Sequence, residues 1–442
     1  MEKNYISLQK VQRRARILIS LIDDIVEQQV RAVVKHPAFQ DMLTVWSGVH
    51  YLTKSCAENI TYIRIFDVKM SELTKFMDAE SGIDSVISTK ILNEQDIPSY
   101  SPLSLIITSY SFDLTQKTHV DILEQLALVS SYAFTPFLFD LTFNILGVQE
   151  ISNLEYFSLA DIDKSPLFKK ACNLSSIPHS CFLFPIMPKI NLPSIQKNST
   201  KHLFLSHLEL NKTVLSSGAF GVAAVIMQSF ISTRWFLDMM GLPIDDTGKI
   251  LPYGLIQNLV SQGVFNTKKM NIVFSKANIP FAISEKKEKE LCDLGITPLS
   301  HIKNTSYVVL FNSQSLRTLY FKRQAIHFKD PSCILPYLLC ACRFAAYIKI
   351  IGRNKVGEFT NAQEYQAFLN KWILQYVAAN PDVKPELKRK FPLLAATIEV
   401  RKSHMLKNNY QCTMSLKPHL MSSAIATELV LKTEIDDTIK AS

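Results

Sequence analysis

The side chains of this chain best suited to chemistry stand at spacings that the common catalytic and metal-binding motifs do not use. The segment 241–250 has six residues between its two glycines where a phosphate-binding loop needs four, and isoleucine stands where that loop needs Ser or Thr. His202 and His207 are five residues apart, so a helix would not carry both on one face. Cys340 and Cys342 are two apart in an apolar helix, point to different sides and cannot chelate one metal together.

Enzyme motifs are also missing from the rest of the sequence. It contains no Gly-x-Ser-x-Gly nucleophile elbow and no His-Glu-x-x-His pair. The eight cysteines include no Cys-x-x-Cys pair, which favours reduced, buried thiols in a cytosolic protein. We predict that the chain is not an enzyme and uses no cofactor. An α/β enzyme whose site is assembled in space stays the third hypothesis.

Composition indicates a folded, basic protein. The 442 residues are 47% hydrophobic and 20% charged, as in globular chains, and this length predicts two or three domains. The net charge is +9, and the window 341–410 holds twelve Lys or Arg against five acids. That surplus indicates either a face that meets an anionic surface or ordinary solvated lysine. The candidate basic contact residues in this window are Lys384, Lys388, Arg389 and Lys390.

A nucleic-acid-binding protein is the alternative that this basic cluster supports. Phosphate binding usually combines several basic contacts with stacking aromatic side chains. Only Tyr376 and Phe391 stand near the cluster, so the aromatic interleaving is thin. We keep this class as the runner-up and expect no nucleic-acid partner.

The longest uncharged run, Thr213–Thr233, is long enough to span a bilayer. It contains several serines and is bounded closely by Lys212 and Arg234. We interpret it as part of a helix, Leu215–Met239, buried inside a large protein. The first sixteen residues are polar and do not resemble a secretory signal. We therefore expect a cytoplasmic protein without direct membrane insertion.

Residues 11–34 form the clearest predicted helix. Apolar residues recur at three- and four-residue steps, and charged residues occupy the other face. Pro37 ends the helix, because a residue before proline is pushed out of the helical region. The apolar stripe packs either on the chain's own core or on another subunit. Its candidate interface residues are Ile17, Leu21 and Ile25.

Strands and helices alternate in the middle of the chain. Tyr62–Val68 and Leu103–Tyr110 are predicted strands, a helix is predicted at His119–Tyr132, and Phe137–Phe143 is a further strand or loop end. The proline-rich segment Pro178–Ser199 is predicted to be a loop. This alternation predicts a mixed α/β fold.

The last third is predicted to contain two helices and then three strands. The helices are Pro331–Ile351 and Asn361–Ala379, and the strands lie within 395–401, 410–416 and 424–434. A strand at the end of a chain is an edge strand unless something covers it, and its unpaired backbone groups are open to another chain. The candidate inter-subunit residues of that strand are Thr427, Leu429, Leu431 and Thr433.

Five segments resemble one family in their residue types, order and spacing. They are His36–Gln40, Trp46–Leu52, Ser284–Leu316, Leu335–Lys349 and Asn370–Val377. Over most of its length the chain resembles the large subunit of the bacterial type VI secretion contractile sheath (the TssC/VipB family). A phage-tail-like sheath protein is the near neighbour.

The resemblance implies a structural protein with a sheath fold. That fold has an α/β core and a C-terminal domain of helices followed by strands that adjoining subunits share. The domain limits that we expect are an N-terminal arm at 1–35, an outer and middle core at 36–323, and an inner C-terminal domain at 324–442. The four basic candidates above would then face the inner tube.

The implied partners are those of a contractile sheath in the bacterial cytoplasm. They are a small sheath subunit (TssB/VipA-like), further copies of this chain in a helical polymer, an inner-tube protein (Hcp-like) and a baseplate. In some systems an AAA+ unfoldase grips a helix in a longer leader. Only 35 residues precede His36 here, which argues against that route and leaves the unfoldase an open partner. The glycine-poor stretch Phe236–Gly241, where the family is usually glycine-rich, indicates a divergent member.

Overall fold

The computed structural model of this chain describes most of its length. The described ranges are 2–56, 60–77, 102–147, 168–192, 214–242, 254–256, 279, 283–302, 307–326, 330–354, 362–380, 385–402, 410–419 and 429–435.

The described α-helices are α1 (Glu2–Lys35), α2 (Pro37–Ser55), α3 (Met70–Met77), α4 (Lys117–Ala133), α5 (Phe168–Ser176), α6 (Gly218–Thr233), α7 (Glu285–Asp293), α8 (Arg317–Arg323), α9 (Leu335–Asn354), α10 (Ala362–Ile373) and α11 (Pro385–Lys390). The strands are β1 (Ile106–Phe112), β2 (Phe137–Leu141), β3 (Leu183–Met187), β4 (Ile190–Leu192), β5 (Val214–Ser216), β6 (Leu255–Ile256), β7 (Thr297–Pro298), β8 (Ser300–His301), β9 (Val308–Val309), β10 (Leu393–Lys402), β11 (Tyr410–Pro418) and β12 (Leu429–Ile435).

A parallel four-stranded sheet with the order β1-β2-β3-β7 organises the N-terminal part. Helix α4 connects β1 to β2, and Ile106 pairs with Phe137. Every residue of β2 and β3 is buried. Parallel strands occur where helices cover both faces of the sheet. The predicted mixed α/β fold is confirmed, as are the helices predicted in 11–34 and at His119–Tyr132.

Two smaller predictions about this region are wrong. Tyr62–Val68 contains no strand, although its residues alternate, because no described strand lies beside it. Tyr62 and Ile65 are exposed there. The proline-rich segment from Pro178 contains β3, a strand of the main sheet. A strand buried on both faces is apolar throughout, so it lacks the alternation by which strands are recognised.

Pro185 is accommodated within β3 because no described strand pairs with it on the β7 side. Leu183 and Met187 accept backbone hydrogen bonds on the β7 side, from Leu316 N (2.9 Å) and Leu299 N (2.7 Å). Residues two apart in a strand direct their backbone groups to the same edge, so the missing N–H of Pro185 belongs to that edge too. The two-residue strand β7 pairs only beyond this point, and the ladder loses no hydrogen bond at the proline.

Helix α6 is the central helix of the larger hydrophobic core. The first nine residues of the helix, from Gly218 to Ile226, are all buried. The helix contacts β1, β2 and β3. The interpretation of the uncharged run as a buried helix is confirmed, but β5 precedes it and a separate 3-10 turn, Leu237–Met239, follows it. By length and hydropathy, Leu335–Gly352 in α9 is the one described helical stretch that could cross a membrane, and 67% of it is buried in the protein.

Aromatic side chains join α6 to the helices that follow. Trp235 stacks on Phe344 of α9 with ring centroids 5.1 Å apart, and Tyr376 meets the edge of both rings. The guanidinium of Arg343 lies 4.6 Å from the Trp235 ring centroid and donates a hydrogen bond to the carbonyl of Arg234. Stacked and edge-on rings stabilise beyond the area they bury, by about 0.5–1.5 kcal/mol per pair.

The first residues of α6 hold a buried carboxyl. Asp140 Oδ1, at the end of β2, accepts hydrogen bonds from Ser217 Oγ (2.8 Å) and from the backbone N–H of Gly218 (3.0 Å). Burial raises the pKa of Asp140 to about 7, and the hydrogen bonds from Ser217 and the helix start only partly offset it. The pKa of Asp140 is higher in the folded chain than in the unfolded chain. The stability that the protonated Asp140 carboxyl contributes is therefore complete below about pH 4 and is lost as pH rises to about 7.

We predict that Asp140→Asn removes this pH dependence. Asparagine keeps an acceptor for Ser217 and Gly218 but cannot ionise, so the melting temperature of the variant should rise relative to the unsubstituted protein between pH 5 and pH 8. Thermal unfolding of the purified chain across this pH range measures the difference. Asp113→Asn is the control: burial raises the pKa of Asp113, but hydrogen bonds from Thr115 and Asn144 outweigh it and lower the pKa, so the stability linked to Asp113 changes only below about pH 4 and this variant should stay parallel to the reference between pH 5 and pH 8. Melting curves for Asp140→Asn that stay parallel to the reference at every pH would contradict the assignment.

Candidate assembly interface

The C-terminal strands form a separate antiparallel sheet with the order β10-β11-β12. Ile398 pairs with Met414, and Met414 pairs with Leu431. Ile398, Val400, Met414 and Leu416 belong to the main hydrophobic core, whereas residues such as Thr397 alternate with them on an exposed face. Helix α10 packs against β10, and α9 packs against β12. The three predicted C-terminal strands are confirmed, the third of them from Leu429 onwards, since 424–428 lie outside the described residues.

The direction of the backbone groups in this sheet follows from two side chains of α10. Asn370 bonds both the N–H and the C=O of Ile398, at 2.9 Å each. Gln366 accepts a hydrogen bond from the N–H of Val400 at 3.0 Å. The backbone groups of Ile398 and Val400 therefore face away from β11. In an antiparallel pair, successive residues direct their backbone N–H and C=O groups to opposite edges of the strand. The backbone groups of Glu399, between Ile398 and Val400, therefore face β11.

Carrying the same alternation across the register identifies the free edge of β12. Met414 pairs with Ile398 and faces the other way, towards β12, so it exchanges hydrogen bonds with Leu431. The residues one step along β12 then direct their N–H and C=O groups to its outer edge: Val430, Lys432 and Glu434. No strand within the described ranges pairs with that outer edge.

The structure places the predicted inter-subunit residues as follows. Leu429, Leu431 and Thr433 lie in β12 and pair with β11 of the same chain. Thr427 lies outside the described residues. The backbone groups that another strand could reach belong to the three intervening residues, which the apolar pattern of the sequence did not indicate.

Helix α1 carries its apolar stripe uncovered. No side chain described between Lys10 and Lys35 is buried. Ile17, Leu21 and Ile25 are 53%, 51% and 56% exposed. The alternative in which the stripe packs on the chain's own core is therefore not what the structure shows. An amphipathic helix with its apolar face in water is a site for another protein surface.

A second apolar surface lies on α2. Met42 and Trp46, four residues apart, are 50% and 51% exposed, and nearby Leu215 of β5 is 41% exposed. Tryptophan is enriched among the residues that carry most of the energy of protein interfaces. Trp46 stands in one of the segments on which the family resemblance depends, but the sequence did not show that its indole is exposed.

The structure does not bring the four basic candidates together as a described patch. Lys384 and the side chain of Arg389 lie outside what is described. Lys390 is exposed, with its ammonium 6.0 Å from the Phe391 ring centroid. Lys388 is half-buried beside His419, and burial together with the positive charge of Lys388 lowers the pKa of that histidine.

The residues weighed for chemistry form no site in the described part of the chain. No group of three His, Cys, Asp or Glu residues there could hold a metal ion. Burial raises the pKa of Cys333 to about 11 and of Cys340 to about 12, so both are neutral thiols at physiological pH. His202, His207 and the turn 243–250 lie outside the described residues.

Two family comparisons span nearly the whole chain. Residues 16–317 match the tail sheath N-terminal domain of the EvpB/VC_A0108 family, and residues 328–435 match its tail sheath gpW/gp25-like domain. The matched domains are those of a tail sheath protein. The chain belongs to the EvpB/VC_A0108 tail sheath family, which confirms the predicted resemblance to the type VI secretion sheath large subunit.

One individual relative agrees with the family. The type VI secretion system sheath protein TssC1 of Pseudomonas aeruginosa is 27% identical, over 96% of this chain and 86% of that protein. The crystal structure of a sheath tail protein from Desulfitobacterium hafniense matches 71% of this chain and only 59% of that one, with a TM-score of 0.31 and 7% identity. The family is structural, and the nucleic-acid alternative is not favoured.

We predict that lysine in the α1 stripe weakens binding of the partner subunit. Leu21→Lys and Ile25→Lys each place a charge in the apolar face, where its desolvation opposes association. Co-purification with the small sheath subunit should fall at least about fivefold, since one good apolar anchor contributes more than about 1 kcal/mol. Ser20→Lys, on the polar face of the same helix, is the matched control and should bind normally. Equal binding by all three variants would show that the stripe is not an interface.

Proposed function

We propose that this chain is the large structural subunit of a type VI contractile sheath that joins its neighbours through the outer edge of β12. The observation that carries the proposal is the three-stranded sheet whose last strand directs the backbone groups of Val430, Lys432 and Glu434 away from the chain. An extended strand from an adjoining subunit could add there. Family membership supports pairing with a small sheath subunit and polymerisation.

Strand addition suits a joint that must hold while its parts move. Each backbone hydrogen bond contributes about 0.5–1.5 kcal/mol net, so a few of them fix register and direction without any chemical bond. A sheet also tolerates changes of twist. The subunits could therefore rotate during contraction and stay connected, with α1 and the Met42–Trp46 surface as the apolar contacts that repack.

Contraction on this proposal uses stored conformational energy. A change of packing between two states of a subunit is a few kcal/mol, and many subunits acting together do considerable work. No nucleotide chemistry in the chain is needed. The inner-tube protein, the baseplate and an AAA+ unfoldase are partners we propose from the family resemblance, as are the bacterial cytoplasm and the domain limits 1–35, 36–323 and 324–442.

We predict that co-expression with the small sheath subunit yields tubules and that Lys432→Pro abolishes them. Proline at 432 removes an N–H that faces outwards, so the bonds between β12 and β11 survive while an incoming strand loses a partner. Thr433→Pro is the matched control: it removes an N–H that faces β11 and should destabilise the subunit itself. Electron microscopy detects the tubules, and size-exclusion chromatography should show Lys432→Pro as a soluble complex. Normal tubules from Lys432→Pro would refute the proposed joint.

The basic cluster yields a second prediction about the same assembly. Charge reversal at Lys388, Arg389 and Lys390 should reduce recovery of the inner-tube protein with the sheath, because the surface that faces the tube would repel it. Reversal at Lys69, Lys117 and Lys169, which are exposed elsewhere, changes the net charge equally and should have no effect. Co-sedimentation at low salt compares the two. Unchanged tube recruitment by the first variant would remove the cluster from the interface.

A further inference from the structure

The sheet has a second edge, along β10, and side chains of α10 occupy it. Ile398 directs both backbone groups outwards, and Asn370 satisfies both of them: its Oδ1 accepts from the N–H and its Nδ2 donates to the C=O, at 2.9 Å each. Gln366 Oε1 accepts from the outward N–H of Val400 at 3.0 Å. A side-chain amide can both donate and accept, as a peptide group does, so Asn370 stands where a residue of a further strand would stand.

The spacing on the two elements explains why both contacts form. Outward-facing residues of a strand are two apart, or about 6.8 Å. Residues four apart on a helix share a face and are separated by about 6 Å along its axis. Asn370 meets Ile398 and Gln366 meets Val400, so the helix runs antiparallel to the strand with matched steps.

Backbone groups close the beginning of the same edge. Val377 forms a parallel bridge with Leu393, and the N–H of Ala378 donates to the carbonyl of Leu393 at 2.8 Å. From Leu393 to Val400 the edge of β10 is therefore engaged at its start by the chain just after α10 and further along by the two amide side chains. Asparagine is a poor helix former, and this contact gives a physical reason for its place in α10.

We propose that Gln366 and Asn370 determine which edge of the sheet accepts a strand from a neighbouring sheath subunit. They close the β10 edge, so the shared sheet grows only past β12. The inference rests on the strand sharing proposed above. It makes each chain an acceptor of incoming strands at one edge only, which keeps the polymer unbranched and gives the joint one direction. A sheet with both edges open could pair with any extended chain at either edge, a hazard that natural sheets avoid.

The first test measures protection of the capped amides in the soluble Lys432→Pro complex, where no strand is shared. Gln366→Met keeps the size of the side chain but has no acceptor, so hydrogen exchange at the Val400 amide should be faster by on the order of tenfold, the equivalent of one hydrogen bond. Asn370→Leu should do the same at Ile398. Gln366→Glu keeps an acceptor and should retain protection at Val400, which a general loss of stability would not allow.

The second test asks whether opening the β10 edge restores assembly. In the Lys432→Pro background, the double substitution Gln366→Ala and Asn370→Ala should regain polymers visible by light scattering and electron microscopy, whereas Gln363→Ala, exposed on the same helix, should not. Exchange that stays slow in the Gln366→Met and Asn370→Leu complexes overturns this inference alone. Loss of amide protection without renewed polymerisation of the double alanine variant also overturns this inference alone, because the bulk of the helix, and not the two amide side chains, would then close the β10 edge. A Lys432→Pro complex that still polymerises overturns the proposed strand sharing and this inference with it.

Discussion

The unpaired backbone groups at a sheet edge are the constraint on which this structure depends. Every N–H and C=O group must find a partner, and an antiparallel sheet of three strands leaves two rows of them at its margins. The chain treats its two rows differently. Side chains of α10 satisfy the row at Ile398 and Val400, while the row at Val430, Lys432 and Glu434 belongs to the final strand and faces outwards. On the proposals above, one closed and one open edge would make the chain assemble in one direction.

A joint of this kind transmits force only if the sheet is fixed to the rest of the subunit. The buried side chains of the sheet belong to the same hydrophobic core as α6 and α9. The stack of Trp235 on Phe344, with Arg343 over the indole, ties the part matched by the N-terminal sheath domain to the part matched by the gpW/gp25-like domain. A pull on β12 therefore acts on the whole core, since close-packed interiors transmit strain.

Helices and strands with one solvent-exposed face could be predicted from the sequence, whereas elements buried on both faces could not. The periods of α1 and of β10 to β12 are clear because apolar and polar residues separate on them. Strand β3 is buried on both faces and contains Pro185, so local pattern argued against it. The candidate interface was predicted as an edge strand and an apolar stripe, and the structure leaves the stripe exposed. The caps at Gln366 and Asn370 were not, because they depend on the distance between a helix and a strand about thirty residues apart in the chain.

The two kinds of candidate interface have different physical roles. Hydrogen bonds at β12 are directional, so they specify register and orientation but add little energy each. The apolar stripe of α1 and the Met42–Trp46 surface are non-directional, so they contribute energy without specifying one arrangement. A sheath that changes length needs both. On the proposed function, the directional joint would keep neighbours connected through the transition, and the apolar surfaces would slide and repack into a second arrangement of lower free energy, which is where the work of contraction would come from.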